Sequence, residues 1–167
     1  MTTVPLSDEQ WGRLAEMTEP ARQTALKENV LEMSKLSETD RQARIRRQSE
    51  IEYALPDEKL RAIIVSRIRV WMDMDLSVVK PVAASLDQAM NHMTSNIAMK
   101  RVALVQTVAR DFPLDQQERL QALVPGAFPH SAERAVSIGA RLREDTARVA
   151  AGGAGVEDKK KPFWKFW

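Results

Sequence analysis

The sequence predicts an all-α protein, an irregular bundle of about seven to eight helices with a flexible C-terminal tail. Three observations carry this expectation. Ala, Leu, Arg, Glu, Gln and Met, the good helix formers, dominate, while β-branched runs of strand length are nearly absent. The eight prolines and six glycines cluster at joints between apolar-periodic segments. Helix-start signals recur, each a large apolar residue, a capping residue and then an acid or Gln three positions on: Leu6-Ser7 with Gln10, Leu36-Ser37 with Asp40, and Leu114-Asp115 with Glu118.

Starts and stops together place helices at about 8–17, 19–36, 38–54, 57–74, 78–92, 95–111, 115–124 and 132–149. The strongest is 57–74, where Leu60, Ile63, Ile64, Ile68, Trp71 and Met72 form one stripe at three- and four-residue spacing. The 95–111 segment repeats the pattern with Ile97, Val102, Leu104, Val105 and Val108, so these two helices are expected at the centre of the core. Thinner amphipaths at 19–36 and 132–149 are expected outside it. Between Arg41 and Gln48 only Ala43 and Ile45 are apolar, so 38–54 reads as a largely exposed helix. The Leu-type starts (Leu6, Leu36, Leu55, Leu76, Leu114) fall 30, 19, 21 and 38 residues apart, and this uneven spacing gives no support for a repeat.

The chain of 167 residues suits one domain, expected over 1–149. Residues 150–158 read as a flexible Gly/Ala linker, because glycines at 152, 153 and 155 oppose a helix. Residues 159–167 then read as an exposed basic-aromatic docking tail. Four of the nine aromatic residues (Phe163, Trp164, Phe166 and Trp167) lie in its last five positions, beside Lys159, Lys160, Lys161 and Lys165. Rings concentrated beyond a glycine linker call for a partner. Trp and Phe favour the headgroup boundary and each Lys is attracted to an anionic leaflet, which points to an anionic membrane surface. Aromatic anchors suit a hydrophobic groove on a partner protein equally well in kind. Docking on the tail's own domain, or a homo-oligomer contact, is the plain alternative.

Net charge is only +2, but it is unevenly spread: −4 over 1–40, +4 over 41–70, balance over 71–155, and +2 over 156–167. The basic stretch puts Arg41, Arg44, Arg46 and Arg47 on one helix, with Arg61, Arg67 and Arg69 on the next. An arginine-lined helix can track phosphates, so a nucleic-acid-binding regulator is the alternative function. Interspersed acids, and Tyr53 as the one nearby aromatic, favour a solvated or internally paired face instead.

Catalytic and metal chemistry find little support. There is no cysteine, which excludes disulfides and thiolate chemistry and fits a cytoplasmic location. With two histidines, His92 and His130, the usual base–nucleophile pairs are lacking, and Ser131 beside His130 reads as a helix cap. Met72, Met74, Met90, Met93 and Met99 surround His92, yet methionine is a common core filler and one His without a spaced second ligand is a weak metal signal. Neither cofactor nor metal is expected. No stretch approaches the ~20 apolar residues of a membrane span, and the first residues lack the basic and apolar regions of a signal peptide. The sequence thus predicts a non-enzymatic adaptor, scaffold or assembly protein, cytoplasmic or peripheral on the inner face of a membrane.

Overall fold

A computed structural model describes residues 6–128, and these are all-helical, with seven α-helices and no strand among them. The expected helix 132–149, the linker 150–158 and the tail 159–167 lie outside the described residues. The helices are α1 (Asp8–Gly12), α2 (Glu19–Met33), α3 (Glu38–Tyr53), α4 (Asp57–Asp73), α5 (Leu76–Asn91), α6 (Ser95–Ala109) and α7 (Leu114–Leu123). Short 3-10 turns follow α1 at Leu14–Glu16 and α7 at Pro125–Ala127.

The N-caps of α2 to α7 are Thr18, Ser37, Pro56, Asp75, Thr94 and Pro113, each 19 residues after the last. The residue before each cap is always large and apolar: Met17, Leu36, Leu55, Met74, Met93 and Phe112. This corrects the expectation of uneven spacing. Two helices start earlier than the expected 78 and 115: Asp75 caps α5, with its carboxylate accepting from the Ser77 N–H at 2.7 Å, and Pro113 rather than Asp115 precedes α7. A fixed period with a short connection brings every second helix back alongside. Accordingly α2 packs on α4 and α4 on α6, while α1 packs on α3, α3 on α5 and α5 on α7. The result is two stacks of helical units within one compact unit, in the manner of helical-repeat proteins.

The fourth residue of each helix shows how the period is built. In α2, α3 and α7 it is polar and reaches back to the carbonyl just before the cap. Arg22 donates to the Met17 oxygen at 3.1 Å, Arg41 to that of Leu36 at 3.2 Å, and Gln117 to that of Phe112 at 2.7 Å. In α4 and α5 the same position holds Leu60 and Val79, both fully buried. One site thus accepts either a side chain that clasps the turn or an apolar one that staples beneath it.

The stacking also repeats. The Arg22 Nε–H donates to Ser66 Oγ at 2.8 Å and the Arg41 Nε–H to Ser85 Oγ at 2.9 Å, each pair 44 residues apart. These are the same two positions, taken from helices two units apart.

Helix α4 lies in the core as expected, burying Leu60, Ile63, Ile64, Ile68 and Trp71, each worth roughly 1.5–3 kcal/mol. Two placements differ from expectation. Helix α2 is not peripheral: Leu26, Val30 and Met33 are buried and it packs broadly on α4. Helix α3 is not a largely exposed helix: Arg41, Ile45, Gln48, Ser49 and Glu52 are buried and it packs broadly on α5. Its inward stripe is mostly polar, so an apolar periodicity could not reveal it. Helix α6 contributes less than expected, with Ile97, Val102 and Leu104 only half-buried. At the far end, the Asp87 carboxylate accepts from Arg101 at 2.6 Å and from the Gly126 N–H at 3.0 Å. A Cβ at Gly126 would sit 2.8 Å from that carboxylate, so the close approach needs glycine.

Candidate functional site

The arginines of the basic stretch arrive in very different places. Arg41 is buried between Ser85 and the Leu36 carbonyl. Arg44 holds Glu32 through two nitrogens, at 2.9 and 3.3 Å, in the forked geometry that matches a carboxylate. Arg46 approaches Glu50 at 3.5 Å. Arg47 reaches Asp8 at 2.9 Å and Glu50 at 3.5 Å, and the hydrogen bond to Asp8 holds its pKa above the usual value. On α4, Arg61 pairs with Asp111 at 3.1 Å, Arg67 with Glu52, and Arg69 with Glu19. Each of these guanidiniums already has an acceptor. A phosphate arriving here competes with a carboxylate for all but Arg41, which is out of reach.

The structure brings together a second group that the sequence did not flag. Along α3, residues 41, 45, 48 and 52 fall on one face, and the last of them is Glu52, with 1% of its side chain exposed. The Trp11 Nε1–H of α1 donates to Glu52 Oε1 at 3.0 Å, and Arg67 of α4 pairs with the same oxygen. Beside them the Gln48 amide donates to Asn29 at 3.0 Å. Two buried polar atoms in this cluster, Glu52 Oε2 and Trp71 Nε1, have no hydrogen-bond partner. Trp11, Asn29, Gln48, Glu52, Arg67 and Trp71 all line a cavity of about 30 Å³. A second cavity of about 30 Å³ shares Arg67, Trp71 and Leu86 with it and extends toward Tyr53 and Arg101. The one signal available in the sequence was polar side chains at the three- and four-residue spacing normally filled by apolar ones.

Burial, and secondarily the Glu52 carboxylate, pushes the Tyr53 phenol up to about 12. Tyr53 is the only tyrosine, so its ionisation is isolated spectroscopically. Absorbance at the tyrosinate band is expected to titrate with a midpoint near 12 in the folded protein and near 10 in denaturant. The sign follows from linkage. The unfolded chain loses the proton first, so stability is intact below about pH 10 and falls, by on the order of 2 kcal/mol, as pH rises toward 12. A folded-state midpoint at 10 would place the phenol in open solvent.

The methionine-rich stretch divides between core and surface. Met74 and Met90 are buried, Met72 and Met93 half-buried, and Met99 and His92 exposed. Asp87 is committed to Arg101 and Gly126. Among the described residues no three His, Asp or Glu side chains converge as metal ligands, and no helix is long and apolar enough to cross a membrane. The tail residues Lys159, Lys160, Lys161, Phe163, Trp164, Lys165, Phe166 and Trp167 lie outside the described residues. No family model, curated protein or solved structure matches the chain.

Proposed function

We propose that the protein is a non-enzymatic helical adaptor or scaffold, recruited by its basic-aromatic tail to an anionic membrane surface. The observation that supports this most is the pair of stacks built at a constant 19-residue period. Helical repeats place successive outer faces side by side and so offer extended surfaces for partners. The internal engagement of Arg44, Arg46, Arg47, Arg61, Arg67 and Arg69 weighs against a phosphate-tracking role for that face. The sequence's other concentration of positive charge is then Lys159 to Lys165, interleaved with rings suited to the headgroup boundary.

Co-sedimentation with anionic vesicles, comparing the full chain with one ending at Gly155, tests the proposal. The full chain is expected to pellet, to release as salt rises, and to lose at least ten-fold in affinity on truncation. That loss is about 1.4 kcal/mol, less than the contribution expected of four lysines at about 1 kcal/mol each. Equal binding by both chains, or none by either, removes the membrane from the proposal. Capture of a protein by the tail peptide would then favour a groove on a larger complex. A DNA or RNA shift that survives truncation and is lost in the Arg44→Glu/Arg47→Glu variant would favour the regulator instead.

A further inference from the structure

The fifth residue of α2 to α7 is in turn Gln23, Gln42, Arg61, Lys80, Met99 and Glu118, and none of the six is buried. Five are polar, as a solvent-facing position on a packed helix requires. The sixth is a thioether, and it is 71% exposed. Packing does not account for it. Of the other methionines among the described residues, Met33, Met74 and Met90 are buried, and Met17, Met72 and Met93 are half-buried. Beside Met99, Lys100 turns to Asp57 at 2.7 Å, and the exposed residues one turn away on either side, Asn96 and Ala103, are short. Small solutes therefore reach the sulfur. A thioether has one chemistry that the five polar residues lack, reversible oxidation, and susceptibility to it follows exposure. The chain has no cysteine, so no thiol of its own competes for an oxidant.

We propose that Met99 is a reversible oxidation site, with hydrogen peroxide as the oxidant and a dithiol reductase as the reductant. The sulfur lone pair attacks one peroxide oxygen, the O–O bond breaks, and after proton transfer a sulfoxide and one water remain. The reductase returns that oxygen as water, and its two thiols end as a disulfide. Oxidising a buried methionine puts a polar group into the core. At Met99 the same change makes the fifth position of α6 polar, like its five counterparts, and leaves the core untouched. The outer face of α6 thus has an apolar and a polar state on one fold.

Mass spectrometry with peptide fragmentation tests this, following each methionine as dilute hydrogen peroxide acts on the full chain, folded and in denaturant. In the folded chain Met99 is expected to oxidise at least ~5-fold faster than Met17, Met33, Met72, Met74, Met90 or Met93, and in denaturant the seven rates are expected to converge. An equal rate at any of those six in the folded chain, or an advantage of Met99 that persists in denaturant, overturns the proposal. The chain oxidised at Met99 alone is expected to keep its thermal midpoint within about 2 °C, as for other surface changes. Methionine sulfoxide reductases, one for each sulfoxide epimer, are expected to restore the thioether in the folded chain. A midpoint that falls further, or a sulfoxide restored only in denaturant, would make the oxidation a lesion and also overturn the proposal.

Discussion

Replacing Arg67 with leucine is expected to lower the unfolding free energy by about 3–5 kcal/mol, the usual consequence of stranding one member of a buried ion pair. Glu52 is the member left behind. Its side chain is 1% exposed, and after the substitution its remaining protein partner in the cluster is the Trp11 indole. Arg67 itself is 15% exposed, so the charge that is removed sits nearer solvent than the charge that stays. The reverse change, Glu52→Gln, keeps an acceptor for Trp11 and lets Arg67 turn outward, and is expected to cost less than Arg67→Leu. Urea unfolding followed by circular dichroism measures both, as a shift in midpoint at constant slope. The exposed Arg13–Glu9 pair, at 67% and 76% side-chain exposure, provides the contrast: Glu9→Ala is expected to leave the midpoint unchanged within error. A loss under about 1 kcal/mol for Arg67→Leu would mean that the Glu52 carboxylate finds water readily, and that the junction does not hold α1, α3 and α4 together.

The sequence discloses where helices begin better than which way they face. Ser7 forms the expected reciprocal cap with Gln10, and Ser37 caps α3 through the Asp40 N–H, because local hydrogen bonds are decided by neighbours in the chain. The 19-residue period stayed hidden because its markers are equivalent in shape and different in chemistry. Counting leucines finds Leu36 and Leu55 and passes over Met17, Met74, Met93 and Phe112 at the same position. Serine, threonine, aspartate and proline all serve as the cap that follows. The inward face of α3 was illegible for a different reason. Arg41, Gln48 and the Oε1 of Glu52 find their side-chain partners in Ser85, Asn29, Trp11 and Arg67, 15 to 44 residues away, and no local pattern encodes them. Long-range pairing likewise engages part of the basic stretch that resembles a phosphate-binding helix, with Arg44 on Glu32 and Arg47 on Asp8, while Arg46 and Arg47 share the local Glu50.

The Arg–Ser pairs at the 44-residue spacing allow the repeat itself to be tested. Ser85→Ala is expected to cost about 1–3 kcal/mol, because it leaves the buried Arg41 Nε–H without an acceptor. Replacing both partners with apolar groups of similar volume, as Arg41→Met/Ser85→Ala, is expected to recover most of that loss. The desolvated guanidinium disappears together with the group that satisfied it. The fold already contains this solution: at the equivalent position α4 and α5 carry the buried Leu60 and Val79. The sister pair should recover less. Arg22 also donates to the Met17 carbonyl at 3.1 Å and the Ala15 carbonyl at 3.4 Å, so Arg22→Met/Ser66→Ala leaves two acceptors behind where the α3 variant leaves one. The ordering of the two double variants, measured by urea unfolding, therefore separates what stacks the helices from what closes the turn before each of them. Should Arg41→Met/Ser85→Ala be as damaging as Ser85→Ala alone, the arginine contributes something its apolar counterparts in α4 and α5 do not. The units would then share a backbone path without sharing a packing rule.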